Sequence, residues 1–179
     1  KYLEFTSNDY ELIERVKRLT NSHQKISTRV RSSKNPHYRI QIGSVELFND
    51  LIKLGLTPNK SKTIRLPQIP SEFFMDFARG YFDGDGCAHL GKHWAKDRNK
   101  KRWVFNIRFA SGSHKFLEEF WERLKEFGVT GGYIYEKKKH DCELVYSWLK
   151  GLELCHILYH NVSSDMYLKR KYDIYQKAL

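Results

Sequence analysis

Apolar and polar residues alternate with a two-residue period along several short stretches of this chain. Because successive side chains of a strand point to opposite faces, this period predicts strands with one buried row and one outward row. Strands are predicted at residues 3–6, 25–31, 37–42, 87–94, 102–110, 132–137 and 143–148. The Ser-Ser-Lys-Asn-Pro segment that separates the second strand from the third predicts a hairpin turn.

Helical periodicity and capping residues predict helices between these strands. Asn8, with Glu11 three residues later, predicts a capping box for the first helix, and Ser44 with Glu46 opens a second that ends at Gly55. The predicted helices cover residues 9–19, 44–55, 71–85, 114–127, 150–161 and 165–178. Helices combined with antiparallel strands in this order indicate an α+β fold.

The two parts of the sequence repeat each other. Residues 11–19 (ELIERVKRL) match 116–124 (FLEEFWERL), and residues 59–62 (NKSK) match 168–171 (LKRK). Because the matches keep their order and their offset grows slowly, they indicate a duplication. We therefore predict a partial first repeat at 1–66, a Pro-rich linker at 67–70 and a complete second repeat at 71–179. The first repeat lacks its opening helix and hairpin, which we expect a preceding segment or another chain to supply.

The charge of the chain favours a nucleic-acid partner. Thirty-two basic and 21 acidic residues give a formal net charge of +11, which attracts phosphates, although a lysine-rich solvated surface has the same composition. No apolar run approaches the roughly 20 residues of a membrane span, and no signal peptide opens the chain. Cys87, Cys142 and Cys155 show no C-x-x-C spacing, which indicates a reduced intracellular protein, cytoplasmic or organellar, without structural zinc.

The segment with the strongest chemical signal is residues 76–86, DFARGYFDGDG, in which a predicted helix ends in two carboxylates among three glycines. A helix C-terminus carries partial negative charge, so Asp83 and Asp85 are each disfavoured there by about 0.3–1 kcal/mol when exposed. A positive group has to offset this repulsion, and a hard divalent cation bound by carboxylate and carbonyl oxygens is the natural candidate. In a basic chain, this acidic site predicts metal-assisted chemistry on a polyanion, with solvated helix caps as the alternative.

Residues 78–86, ARGYFDGDG, resemble the signature of the LAGLIDADG homing endonucleases, and the elements that follow resemble that family's αββαββα unit. The resemblance covers the whole second repeat and the rear of a first one. It implies a LAGLIDADG homing-endonuclease-like fold, in which antiparallel, saddle-shaped sheets lie in the major groove of double-stranded DNA. Ala78 and Arg79 depart from the signature, which has Leu and Ala at these positions.

The resemblance also implies roles for single residues. In the family, two motif helices pack side by side, and the positions that match this contact are Phe77, Gly80, Asp83 and Gly84. Asp83 also matches an acid that is mainly structural at the helix end. Asp85 matches the acid that binds the metal, with the Gly84 carbonyl beside it. The implied cofactor is Mg²⁺, which Mn²⁺ or Ca²⁺ replaces for binding. Lys60 and Lys169 match a lysine near the scissile phosphates, where a cation stabilises developing charge, and plain phosphate contact is the alternative.

The outward rows of the predicted strands are rich in side chains that hydrogen-bond to base edges. These rows are Lys25, Ser27, Arg29 and Arg31; His37, Arg39 and Gln41; and Arg102, Asn106 and Arg108. The intervening apolar residues, including Val30 and Trp103, are predicted to face the core. The basic residues predicted to neutralise the DNA backbone are Lys62, Lys171, Arg98, Lys100 and Lys101.

Two functions of different classes fit these patterns. The leading hypothesis is a site-specific double-stranded DNA endonuclease, associated with intron or intein homing, that hydrolyses phosphodiester bonds with Mg²⁺. Its second acid would come from the missing first motif or from a second copy of the chain. The alternative is an inactive relative that binds DNA or RNA, such as a maturase or a regulator.

Other metal sites are less favoured by the sequence. A calcium loop that begins at Asp83 is excluded, because such a loop needs Gly at its sixth position and Glu at its twelfth. Two histidine pairs, at 89 and 93 and at 156 and 160, have no third zinc ligand at a recognisable spacing. We therefore expect these histidines to face DNA or to be partly buried.

Overall fold

The protein is described by a computed structural model that covers residues 1–30, 36–137 and 141–179. The chain divides into two compact units, Lys1–Thr57 and Pro58–Leu179, which are described separately. This boundary lies before the Pro-rich stretch that we predicted as the linker.

The first unit is a three-stranded antiparallel sheet with two helices. Its elements are β1 (Leu3–Ser7), α1 (Tyr10–Leu19), β2 (Ser27–Val30), β3 (Pro36–Ile42) and α2 (Val45–Lys53). The strand order is β1-β3-β2, and Ile13 of α1 packs with Ile40 and Ile42 of β3 in a small core. The face of β1 and β3 that carries these residues is therefore apolar and packs against α1.

The helix starts of this unit agree only in part with the capping prediction. The Ser44 hydroxyl accepts a hydrogen bond from the Leu47 N–H at 3.1 Å, as predicted for the start of α2. The N-cap of α1 is Asp9 rather than Asn8, and the Asp9 N–H donates to the Ser7 hydroxyl at 3.0 Å. The predicted capping box at Asn8 is wrong, because the turn into α1 is closed by a serine one residue earlier.

The second unit contains a four-stranded antiparallel sheet, in the order β4-β5-β7-β6. A 3₁₀ turn at Lys60–Lys62 precedes its first helix, and another at Ser164–Met166 precedes its last. The elements are α3 (Ser71–Asp85), β4 (Gly86–Ala95), β5 (Lys100–Ser111), α4 (His114–Glu126), β6 (Tyr133–Glu136), β7 (Cys142–Ser147), α5 (Trp148–Tyr159) and α6 (Lys169–Gln176). The single helix predicted over 165–178 is thus a 3₁₀ turn followed by a shorter helix.

An aromatic core fixes the helices on one face of this sheet. Phe105, Ile107 and Phe109 of β5 are buried on the same face, and α3, α4 and α5 pack against it. Phe82 of α3 and Phe120 of α4 contact the Phe109 ring, with centroids 5.5 and 5.0 Å away. Since α3 is held by this core along its length, its position in the unit is fixed.

The order of strands in the first unit recurs in the second. In the first unit β1, α1, β2, β3 and α2 follow one another, and the sheet order is β1-β3-β2. In the second unit β5, α4, β6, β7 and α5 follow in the same order, and their strands are arranged β5-β7-β6. The α+β fold with antiparallel sheets is confirmed. None of the helices in the described ranges combines the length and apolar character needed to cross a membrane.

Candidate active centre and nucleic-acid interface

Helix α3 has a buried face and an open face. Its buried residues are Phe74, Ala78, Arg79, Phe82 and Asp83. Phe73, Gly80 and Gly84 are exposed and, at spacings of seven and four residues, share the opposite side of the helix, which we call the open face of α3. A Cβ built at Gly80 or Gly84 would meet no described atom within 4 Å. Another backbone can therefore approach α3 closely along this line.

Asp85 is the last residue of α3 and its side chain is exposed. It lies near Tyr81, whose hydroxyl donates to the Ala110 carbonyl oxygen at 2.7 Å. Burial raises the pKa of Tyr81, and the negative charge of the Asp85 carboxylate raises it further. Tyr81 therefore stays a protonated hydrogen-bond donor beside this carboxylate. The sequence offered no signal for Tyr81 beyond its position in the motif.

The negative end of α3 has a resident cation, which is Lys171 of α6. This side chain is 1% exposed, and its Nζ donates to the carbonyl oxygens of Phe82, of Asp83 at 3.0 Å and of Gly86 at 2.6 Å. The ammonium thus stabilises the helix C-terminus, the role that we had expected a metal ion to fill. The prediction that Lys171 neutralises the DNA backbone is wrong, because the group is buried against these carbonyls.

Asp83 faces the interior of the second unit. It is 1% exposed, and its Oδ2 accepts from the Leu168 N–H at 2.9 Å, at the start of α6. The Asp83 side chain therefore does not belong to the helix-interface set, and its burial agrees with the structural role at the helix end that the resemblance implies. Its carboxylate connects the end of α3 to α6, while the neighbouring Gly84 lies on the open face.

The two departures from the signature are both on the buried face. Ala78 is fully buried in the core. Arg79 is 5% exposed, and it donates to the Leu158 carbonyl oxygen from Nη1 at 3.2 Å and to the Met166 carbonyl oxygen from Nε at 3.3 Å. It also pairs with Asp76 on the same helix. Arg79 therefore connects α3 to α5 and to the 3₁₀ turn, and neither departure changes the open face.

The two predicted catalytic lysines occupy different settings. Lys60 opens the 3₁₀ turn at Lys60–Lys62 and is partly exposed. Lys169 opens α6, and its side chain is 74% exposed. The Lys169 Nζ lies 2.8 and 3.0 Å from the two carboxylate oxygens of Asp173. Their roles in catalysis stay predictions.

In the first unit, the predicted base-reading side chains share one polar sheet face. Ser27 and Thr6 flank Arg39, and Arg29 lies opposite His37. Lys25 is exposed just before β2, and Arg31 lies outside the described residues. The Val30 side chain, predicted to face the core, is 73% exposed, because β2 is an edge strand whose residues are all exposed.

Glu4 on β1 organises part of this polar face. Its Oε2 accepts from the Gln41 Nε2 at 2.7 Å and lies 3.4 Å from the Arg39 Nη1. Arg39 and Gln41, both predicted to read bases, are thus held by a carboxylate outside the predicted set. The sequence could have indicated Glu4 as a member of this face, because it lies on the outward row of the strand predicted at 3–6.

In the second unit, the predicted row on β5 is partly covered. Arg102 is exposed, but Asn106 is only 7% exposed. The Asn106 Oδ1 accepts from the Arg108 Nε at 2.9 Å, and the Arg108 Nη1 lies 3.7 Å from Glu143. The prediction that Asn106 is a freely exposed base reader is therefore wrong, because its neighbours on the sheet cover it.

The β4–β5 hairpin extends beyond the core. Trp103, predicted to be buried, is 54% exposed, and the Lys92 Nζ lies 5.1 Å from the centre of its ring. Lys100 and Arg98 are exposed at the hairpin end, where Arg98 lies 3.4 Å from Asp97. Alternation places Trp103 on the core side of β5, but the helices do not reach this far along the strand.

The donor chemistry at the end of α3 suits a hard cation. Within the described ranges, no three His, Cys, Asp or Glu side chains come together as a metal-binding group. A Mg²⁺ ion is usually held by only one or two protein carboxylates together with waters and substrate phosphates. The exposed carboxylate of Asp85, beside an open helix face, would therefore supply one of the two carboxylates of such a site.

Comparisons with known proteins agree with this fold. A family model described as a LAGLIDADG-like domain matches residues 72–172, more than half of the chain. A probable translation initiation factor IF-2 of Methanocaldococcus jannaschii is 30% identical over an alignment 139 residues long, which covers 74% of this chain and 11% of that protein. The chain thus spans about a tenth of the length of this curated relative.

Solved structures show the same architecture. The I-LtrWI LAGLIDADG homing endonuclease, bound to its target DNA, matches with a TM-score of 0.62 and 12% identity, over 99% of this chain and 78% of that one. The meganuclease I-SmaMI, bound to uncleavable DNA, matches with a TM-score of 0.59 and 14% identity, over 99% of this chain and 77% of that one. The resemblance seen in the sequence is confirmed: this chain belongs to the LAGLIDADG family and has the fold of its homing endonucleases.

Proposed function

We propose that the protein is a site-specific endonuclease of the homing type, which hydrolyses phosphodiester bonds of double-stranded DNA with a divalent metal. The observation that carries this proposal is the exposed carboxylate of Asp85 at the tip of α3, adjacent to the open face formed by Phe73, Gly80 and Gly84. An acid in this position can take part in a centre that only forms when a second helix packs alongside.

The second helix would lie on the open face of α3. Because a Cβ at Gly80 or Gly84 would meet no described atom within 4 Å, a facing backbone can approach there as closely as in small-residue helix contacts. It would bring its own acid to a point near Asp85. The source would be a second copy of this chain or a segment outside these 179 residues.

The metal would be held by the Asp85 carboxylate, with the Gly84 carbonyl beside it. Mg²⁺ suits a site with so few protein ligands, because it usually keeps several waters and binds substrate phosphates. When bound, such an ion polarises a phosphate and lowers the pKa of a coordinated water. The role of this chain is to hold the carboxylate in place. Lys171 fixes the helix end through its three carbonyl contacts, and Tyr81 donates its hydrogen bond nearby.

The DNA contacts would come from the polar sheet faces. Arg29 and Arg102 are exposed and would reach base edges, while Arg39 and Gln41 are already oriented by Glu4. Lys60 and Lys169 would lie near the scissile phosphates. The net charge of +11 would strengthen binding at low salt and weaken it as counterions compete.

The match to a translation factor does not support translation initiation as the function, because it covers 11% of that protein. A match that covers a small share of a longer protein would fit an element carried within that protein, such as an intein. A reduced intracellular compartment would suit the three free cysteines.

The test is cleavage of a plasmid library that carries random inserts, incubated with Mg²⁺, followed by sequencing of the cut ends. The parent should give cuts at a single long site, and Asp85→Asn should lower the rate by at least about 100-fold, the scale of losing one group that stabilises a transition state. Asp97→Asn is the matched control, since Asp97 is exposed on the β4–β5 turn and lies outside the motif. Equal cutting by Asp85→Asn and the parent would remove Asp85 from the mechanism. Specific binding without any cleavage would favour the inactive relative instead.

A further inference from the structure

We propose that His89 and His93 form a binding site for a transition-metal ion of the Zn²⁺, Ni²⁺ or Cu²⁺ type on the outward face of β4. The Nε2 atoms of the two imidazoles lie 2.8 Å apart. This site is separate from the oxygen-ligand centre proposed at Asp85, and it does not depend on the proposed nuclease activity.

The approach of the two rings is unusual for their sequence spacing. Residues four apart on a strand have Cα atoms about 13 Å apart, since each residue adds roughly 3.3 Å. Both rings must therefore lean toward each other, and their centroids are 5.0 Å apart with the planes at 69°. The two ring nitrogens converge on one point above the strand.

Gly91 makes this convergence possible. It lies midway between the two histidines on the same face of β4. A Cβ built at Gly91 would lie 3.0 Å from the His89 Nε2 and 3.8 Å from the His93 Nε2. Any larger residue would thus compete for the space in which the nitrogens meet.

The nitrogen spacing is close to that of a metal site. In the structure, one ring donates an N–H to the other, whereas a metal requires both nitrogens to be unprotonated. With Zn–N bonds of about 2.0–2.1 Å in a tetrahedron, two ligand nitrogens lie roughly 3.3 Å apart. The rings would need to separate by only about half an ångström, and imidazole nitrogens prefer this class of ion over Mg²⁺.

The surroundings indicate what would fill the other coordination positions. Arg102 lies opposite His93 and Asn106 lies opposite His89, while Cys87 shares the face two residues before His89. A positive neighbour disfavours a bare cation and favours an anionic oxygen as a further ligand. If the proposed DNA contact is also correct, that oxygen would be a backbone phosphate.

The test uses the full-length chain with two background substitutions. Cys87→Ser removes the exposed thiol, and His160→Asn removes one imidazole of the other histidine pair, whose ring centroids are 5.2 Å apart. Ni²⁺ or Zn²⁺ is titrated against a chromophoric chelator in the absence of DNA. The background protein should bind one ion per chain. His89→Asn and His93→Asn should each weaken binding at least about tenfold, since even a change outside the ligand shell typically costs about 10–100-fold.

A glycine substitution tests the geometry without removing a ligand. Gly91→Ala keeps both histidines and should weaken binding several-fold, whereas Gly43→Ala, where an added Cβ meets no described atom within 4 Å, should leave it unchanged. Circular dichroism would establish that each variant is folded. Absence of binding in the background protein, or unchanged affinity in His89→Asn and His93→Asn, would overturn the proposal. Neither result would bear on cleavage, which Asp85→Asn tests separately.

Discussion

Replacing Lys171 with methionine tests how the end of α3 is held. The side chain is 1% exposed, and its ammonium donates to three backbone carbonyl oxygens around the helix C-terminus. Methionine keeps much of the chain length but has no donor and no charge. The carbonyls of Phe82, Asp83 and Gly86 would then remain buried without this partner.

The expected cost follows from two opposing contributions. A hydrogen bond from a charged donor contributes about 1.5–3 kcal/mol, and a cation in a partly buried position at a helix C-terminus adds up to about 2 kcal/mol. Against this, methionine avoids the cost of burying a charge, which amounts to several kcal/mol. We expect a net loss of about 3 kcal/mol of unfolding free energy, at the low end for breaking a buried charged contact. For a chain of this size, that corresponds to a fall of roughly 10 °C in the melting temperature.

The measurement is thermal and urea unfolding of the full chain, with Lys169→Met as the matched control on the same helix. Lys169 is 74% exposed and pairs with Asp173 at the surface, so its loss should change the unfolding free energy by at most about 1 kcal/mol. If Lys171→Met and Lys169→Met were equally stable, the cap on α3 would contribute nothing and the account of the helix end would be wrong.

Two further predictions concern the rest of the second unit. The pKa of Glu119 lies below its usual value near 4.5, mainly because Arg65 donates a hydrogen bond to it. A lowered pKa in the folded state stabilises the fold at pH values above 4.5, and this contribution is lost as the pH falls. The parent should therefore be more stable in urea than Glu119→Gln at pH 6, and the difference should shrink below pH 4.5. Parallel curves at all pH values would contradict this linkage. Gly132→Ala should lower the free energy of unfolding by about 2–4 kcal/mol, because φ is +77° and the added Cβ would lie 2.8 Å from the Tyr146 ring. The control Gly128→Ala has a φ of +81° but no described atom within 4 Å of the added Cβ, so it should lower this free energy by only about 1–2 kcal/mol. Equal melting temperatures for the two alanine variants would contradict this prediction, because they would mean that the Tyr146 ring moves aside at no cost.

Local patterns along the chain were sufficient to predict most of the elements. The helix over 71–85 and the strands that follow it were predictable because apolar spacing, glycines and turn residues all lie within the segments they define. The prediction was wrong where a strand leaves the core. Val30 and Trp103 alternate correctly, but whether the inner face of a strand is covered depends on the reach of helices elsewhere in the chain.

The candidate site was predictable only in its local part. Asp85 and the glycine spacing are visible in the motif, but the partners of the site come from distant positions. Lys171 reaches α3 across more than 80 residues of sequence, and Glu4 reaches Gln41 across the sheet. A lysine in a basic tail gives no indication of whether it is solvated or buried, because that depends on tertiary packing.

The two sides of helix α3 have separate roles. Its buried side is fixed by Arg79, Asp83 and Lys171, all of which connect it to the C-terminal part of the unit. Its open side has no side chain at Gly80 or Gly84. Burying three charged groups is costly, and here each of them is hydrogen-bonded between α3 and the C-terminal part of the unit. The proposed role of Asp85 would need such a rigid helix end, since catalytic groups have to be held to within about 0.5 Å. The departure of Arg79 from the signature therefore adds a connection between α3 and the C-terminal part of the unit, without changing the surface on which a second helix would pack.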